Sequence, residues 1–291
     1  MQPNNVAANQ DFDTITQLND GVRMLQVQVH AQNGTLYMCH GDCQMLNAGL
    51  FVDWLGTLKL WIDQNPYEVV TIVIGNAKYV PATEYVSAYE DSGIIDMAYI
   101  PPKNPMGRAD WPTIGNMILT GKRVVTFMDY EARQGEVPYI LDQFIHVWET
   151  PFDPTSREFP CIIDRPPDLA PEAAEPRMYI VNHNLNTELQ LLGNSILVPT
   201  RPLLNETNAI NGTGSLGLAA ENCYKKWNRA PNWLLVDYYN VGNGSVFEVA
   251  ARWNNVTYEG PCCGFERSAG RRLTASMAAV AVAAVAGVLL V

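Results

Sequence analysis

The sequence predicts an α/β protein folded as a (β/α) barrel. Three observations lead there. Short apolar runs that read as buried strands alternate with stretches of helical periodicity. Most of the strand runs end in a polar residue, and a barrel keeps its chemistry at that end of its strands. No GxGxxG follows a strand, and no Gly-rich loop carries a phosphate-binding Lys, so the open nucleotide-binding sheets lose ground.

The first element, residues 13–20, is polar and short and reads as a helical turn. The stretch 21–43 follows. In it Val22, Leu25, Val27 and Val29 are apolar and, after Met24, alternate with Gln26, Gln28 and His30, the period of two that marks a strand. A turn follows at residues 32–35. A second extended run, 36–38, then delivers His40 into a loop bounded by Cys39 and Cys43, which are close enough in sequence to pair. In residues 50–65 the apolar side chains Leu50, Phe51, Trp54, Leu55, Leu58, Trp61 and Ile62 recur at helical spacing until Asn65-Pro66 stops the helix. Residues 69–74 (VVTIVI) form a continuous apolar run, as a buried parallel strand does, and end at Gly75-Asn76.

A weakly periodic helix is expected over 83–92 and a Pro-rich loop over 101–114. A strand over 124–128 ends at Asp129-Tyr130, and a shorter one over 145–148 ends at Glu149. Residues 151–176 are Pro-rich and irregular. A strand over 178–181 ends at Asn182-His183, and one over 233–236 ends at Asp237-Tyr238. Helices are expected over 216–227 and 245–253.

At 291 residues, 47% of them apolar, the chain is long enough for a sizeable core. A formal charge of −11 with no basic stripe argues against a nucleic-acid partner. The six Cys (39, 43, 161, 223, 262 and 263) show no zinc spacing and favour disulfides. Cys262 and Cys263 are adjacent and are expected to take different partners, Cys161 and Cys223 among the options. Asn-x-Ser/Thr acceptors at Asn33, Asn205, Asn211, Asn243 and Asn255 favour secretion.

Residues 277–291 are an apolar tail, preceded by Arg271, Arg272 and Thr274 and by the small triplet Ser268-Ala269-Gly270. This order is that of a GPI-attachment signal, and the tail is short for a spanning anchor helix. The organisation expected is therefore a barrel over 1–264 and a removable signal over 265–291. The product would be an extracellular monomer held on the outer leaflet. The start of the chain has neither a basic nor an apolar leader, so a missing N-terminal segment is expected.

Five segments, 17–30 (QLNDGVRMLQVQVH), 39–43 (CHGDC), 61–71 (WIDQNPYEVVT), 122–130 (KRVVTFMDY) and 235–240 (LVDYYN), resemble the phosphatidylinositol-specific phospholipase C X-type family. The likeness is strongest to its secreted fungal phosphodiesterase members and covers about residues 9–254. It implies a distorted TIM barrel, (β/α)8, and a reaction in which the substrate's own 2-hydroxyl attacks a phosphodiester. One His acts as base, another as acid, and a cation offsets the charge on phosphorus.

On this resemblance His40 matches the acid and Asp237 the carboxylate that orients the first His. That first His would lie on a first strand upstream of this chain, so the barrel is expected to lack that strand and its base. Gln26 and Gln28 stand where other members carry calcium ligands or an Asp and an Arg, so no metal or other cofactor is expected. Asn76, Asp129, Tyr130 and Tyr238 complete the expected substrate-binding set, for a phospholipid or glycosyl-inositol phosphodiester. Arg23, by alternation, faces away from Gln26 and Gln28. His30 and His146 read as structural, and His183 as a rim or surface residue. Two rival readings are a non-catalytic wall- or glycan-binding barrel and a glycosidase using Asp129 and Asp237.

Overall fold

Two arcs of parallel strands share one apolar interior. The computed structural model describes residues 5, 7–191, 194–260 and 262–264; the expected signal over 265–291 lies outside the described residues. In chain order the strands are β1 (Met24–Gln32), β2 (Thr35–Cys39), β3 (Asn47–Leu50), β4 (Val70–Gly75), β5 (Val124–Met128), β6 (Ile140–Asp142), β7 (Val147–Glu149), β8 (Met178–Asn182), β9 (Asn186–Leu191), β10 (Asn194–Pro199) and β11 (Trp233–Leu235). The helices are α1 (Thr14–Asp20), α2 (Phe51–Gln64), α3 (Val86–Asp91), α4 (Ile114–Thr120), α5 (Gln143–His146), α6 (Pro171–Ala174), α7 (Leu204–Thr207), α8 (Leu216–Trp227) and α9 (Ser245–Trp253).

The first arc is β1-β4-β5-β6, extended beyond β1 by the antiparallel pair β2 and β3. The second is β7-β8-β11. Among the described residues no ladder joins β6 to β7 or β11 to β1. Residues 7–10 lie instead along the end of β11, where Tyr238 N–H donates to Asn9 O and Gln10 bridges Val236 O and Tyr239 N–H.

Strand alternation sorts side chains into two layers. Inward-facing Val73, Phe127, Leu141, Val147, Met178 and Ile180 form one cluster with Met24, Trp233 and Leu235, so both arcs contribute to it. Phe127 and Trp233 meet edge to face across the barrel at 5.9 Å. Outward-facing Leu25, Ile72, Ile74 and Val124 pack under Phe51, Leu55, Leu58 and Ile62 of α2. Both faces of β4 and β5 are thus covered, which explains their unbroken apolar runs. Arg23 lies on the outer side as expected, its Nε 2.8 Å from Glu68 Oε2 and its guanidinium 5.1 Å over Trp61.

Several elements depart from the sequence expectation for local reasons. The strand expected over 145–148 begins later: Asp142 accepts from Ile145 N–H and caps the single turn of α5, and only then does β7 start. The helix expected over 83–92 opens with a 3₁₀ turn, Ala82–Tyr85, before α3. Helix α4 had readable ends, a Thr113 cap that accepts from Asn116 N–H and a left-handed Gly121, but is too short to show a period.

Cys39 pairs with Cys43. The expectation that Cys262 and Cys263 take separate partners is corrected: they bond to each other, and Cys161 bonds to Cys223. The reason is placement. Cys161, in the Pro-rich segment, and Cys223, on α8, face each other with Cα atoms 5.2 Å apart, beside Trp148, Tyr179 and Val181. This bridge closes 62 residues. Replacing both cysteines by serine is expected to cost about 2–4 kcal/mol in chemical denaturation. A loss below about 0.5 kcal/mol would mean that packing alone holds the segment.

Candidate active site

Register decides which strand-end residues meet. Gln28 pairs with Gly75 on β4, and the next inward position on β5 is Asp129. The same parity places Glu149 at the end of β7, Asn182 at the end of β8 and Asp237 just past β11 on the inward side. Gly75 leaves room here: a Cβ added to it would stand 3.3 Å from Gln28 Cγ. Gln28 Oε1 in turn accepts from Gly41 N–H at 3.2 Å, which ties the His40 loop to β1.

His40 is half-buried, whereas His30, His146 and His183 are all buried. Its Nδ1 lies 2.6 Å from Ala7 O. A carbonyl only accepts, so Nδ1 carries the hydrogen and Nε2 is left to exchange protons. The carbonyl is held in turn, because the Tyr238 hydroxyl donates to the neighbouring Ala8 O.

The Pro-rich segment supplies two groups that the sequence reading did not name. Arg165 lies 3.0 Å from Asp129 Oδ2 and 3.2 Å from Glu149 Oε2, its side chain only 16% exposed. The rings of Phe152, Phe144 and Tyr130 flank its guanidinium at 4.5, 5.0 and 5.7 Å. Backbone pairing puts it there: Glu149 N–H donates to Arg165 O at 2.8 Å. A cation therefore stands at the strand ends although Gln26 and Gln28 provide none. Asp153, at φ +51°, is the second group. Burial raises its carboxyl above the usual range against the pull of His40 and Arg165, and its side chain is bonded to Asn184.

Burial likewise raises Asp129, against Asn76 N–H and Arg165, and Glu149, against Arg165. Asp237 is raised as well: burial and then the Asp153 charge push it up to about 7. Its folded value lies above the ordinary 3.8, so the folded protein keeps a proton that the unfolded chain gives up. Stability from this group is therefore full below about pH 4 and falls as pH rises toward 7. Asp237→Asn removes that slope, so its stability relative to the parent is expected to rise between pH 5 and pH 8 by about 1–3 kcal/mol in urea titrations. The same difference at both pH values would refute it.

The remaining expected residues divide by parity. Tyr130 stays at the rim, 4.9 Å from the ring of exposed Tyr79, its hydroxyl 3.4 Å from Arg165. Asn76 does not face the interior. It is fully buried, donates to Val80 O and Tyr130 O, and folds the loop after β4. Tyr238 is also buried and serves as the anchor for Ala8, with Arg201 4.3 Å above its ring. His183 is no rim group. It binds Thr207 O at 2.9 Å against Phe159, and burial pushes it down to about 4. Among the described residues no three His, Cys, Asp or Glu side chains converge on a metal position.

The fold and the family can be read from other proteins. Phosphatidylinositol-specific phospholipase C from Listeria monocytogenes superposes with a TM-score of 0.56 over 88% of this chain and 86% of its own, at 11% identity, a likeness of fold. An uncharacterized secreted protein of Arthroderma benhamiae is 55% identical over 91% of the chain, which spans 60% of that relative's length. PI-PLC X domain-containing protein 1 of the same fungus is 38% identical, with 81% of this chain and 75% of that protein covered. PI-PLC X domain-containing protein At5g67130 of Arabidopsis thaliana is 29% identical over 83% of this chain and 54% of its own length. The family model described as PI-PLC X 1 matches residues 3–254, the same span that carries both arcs of strands and the rim around His40, and so the chain belongs to the PI-PLC X family of phospholipase C-like barrels.

Proposed function

We propose that this chain is a phosphodiesterase of phospholipase C type that cleaves an inositol phosphodiester without calcium. The observation that carries the reading is His40: a half-buried histidine at the strand ends, fixed through Nδ1 by a backbone carbonyl and within electrostatic reach of Asp153, which also feels Arg165 and acts on Asp237. The substrate's 2-hydroxyl oxygen attacks phosphorus, the bond to the leaving oxygen breaks, and a cyclic phosphate forms. His40 Nε2 gives its proton to the leaving oxygen. Asp237, whose proton affinity lies near neutrality, takes the proton of the attacking hydroxyl. Arg165 faces the charge on phosphorus, with Gln26 and Gln28 as neutral donors and Asp129 and Tyr130 lining the ring site.

Secretion fits the disulfides and the secreted relative. Attachment to the outer leaflet through a GPI anchor, as a monomer, completes the reading. The test is ³¹P NMR of the protein with phosphatidylinositol or glycerophosphoinositol in EDTA. A cyclic phosphate is expected, at a rate that added calcium leaves unchanged. Saturable binding of inositol phosphate with no turnover would favour the non-catalytic barrel and sink the proposal.

A further inference from the structure

All five sequon asparagines are exposed, and their places in the fold are not scattered. Asn33 forms the turn between β1 and β2, beyond the layer of Gln28 and Gly75. Asn205 lies in α7, and Asn211 follows it. The same connection carries Asn208, whose amide donates at 3.0 Å to both Asp237 O and Tyr238 O. Asn243 follows the turn after β11, and Ser245, the hydroxyl residue of its sequon, donates to Asn208 O at 2.6 Å. Four acceptors thus stand on the barrel end that holds His40 and Asp237. Asn255 lies past the end of α9.

We propose that Asn33, Asn205, Asn211 and Asn243 carry N-linked glycans that ring the mouth, and that substrate arrives there as a phosphodiester in solution rather than as a lipid in a bilayer. The second half rests on the function proposed above; the first does not. An N-glycan is bulky and hydrated. A mouth that takes lipid from a membrane must lie flush against the headgroups, and four glycans around it hold the surface away. The chain's formal charge of −11 adds repulsion from an anionic leaflet. Thr207 and Ser245, which complete two of the sequons, are buried in the fold, so transfer to Asn205 and Asn243 precedes folding of this end.

The full chain, expressed behind a secretion leader in a glycosylating yeast host and freed of its expected lipid anchor, is treated with a glycan-releasing amidase in heavy-oxygen water and mapped by peptide mass spectrometry. Marked conversion to Asp is expected at all four mouth positions. The untreated glycoprotein is then floated with vesicles of phosphatidylcholine and phosphatidylinositol, and assayed on the vesicles and on glycerophosphoinositol. It is expected to stay off the vesicles and to turn over the soluble diester at least several-fold faster. Fewer than three marked positions, co-flotation with the vesicles, or faster turnover of the vesicle lipid would each overturn the proposal. Turnover of neither substrate would overturn the reading of function and the soluble-substrate half with it, while the glycan map still decides the first half.

Discussion

Replacing His40 by alanine is expected to lower phosphodiester turnover by about 10²- to 10⁴-fold, the usual contribution of a positioned acid. The leaving oxygen departs as an alkoxide unless a proton reaches it in the transition state, and His40 is the half-buried imidazole of the chain. The loss should fall on kcat more than on KM, because the proton is transferred only as the bond breaks. The loop should survive the change: the Cys39–Cys43 bridge, the Gln28 contact to Gly41 and the bond from His40 N–H to Leu46 O do not use the imidazole. Thermal unfolding separates the two effects, and free imidazole should restore part of the rate. Turnover equal to the parent's would remove His40 from the mechanism.

Arg165→Met is expected to cost about 3–5 kcal/mol at pH 8, the largest stability loss of any single change at the site. The arginine separates two carboxyl side chains that are 3% and 9% exposed. Without it Glu149 and Asp129 must stay charged against burial and against each other or take up protons. Both carboxyls already sit above their ordinary range, and losing the cation raises them further. The folded variant then binds protons that the unfolded chain releases, so its deficit should shrink from pH 8 to pH 5. Arg165→Lys should recover only part of the loss, since one ammonium cannot span both carboxylates as the planar fork does. Urea denaturation at the two pH values decides it. A deficit below about 1 kcal/mol, or one independent of pH, would mean that the pair needs no cation.

What could be read from the residues follows from parity. The alternation in β1 puts Gln26 and Gln28 on one face, and the runs into Asp129 and Asp237 carry the same count to their ends, so the inward group at each of these rims was legible. Each strand end, however, offers two polar neighbours, and only one can face inward. Asn76 and Tyr238 are the outward members of such pairs, and they became the pins of their loops. Arg165 was not legible because the segment that carries it has no period. It reaches the rim by pairing backbone with Glu149 and by threading past Phe152 and Phe144, contacts that composition does not reveal. Hairpin β9–β10 went unread because it pairs with neither arc and leaves Leu189 and Leu197 exposed, so no continuous apolar face marks it.

The bond between Tyr238 and Ala8 has a consequence for how the protein is made. Those residues are 230 positions apart, and Tyr239 reaches Asp20 across 219. A ribosome that has delivered the whole His40 loop has not yet delivered Tyr238, which anchors the carbonyl next to the one holding its imidazole. Contacts of such long range form late, because the intervening chain must be ordered first. A nascent chain stalled before β11 should therefore hold the first arc of strands and a bridged His40 loop, yet show two exchanging imidazole tautomers. The proton donor is set in the last fifth of synthesis, and any hydrolytic competence arrives with it.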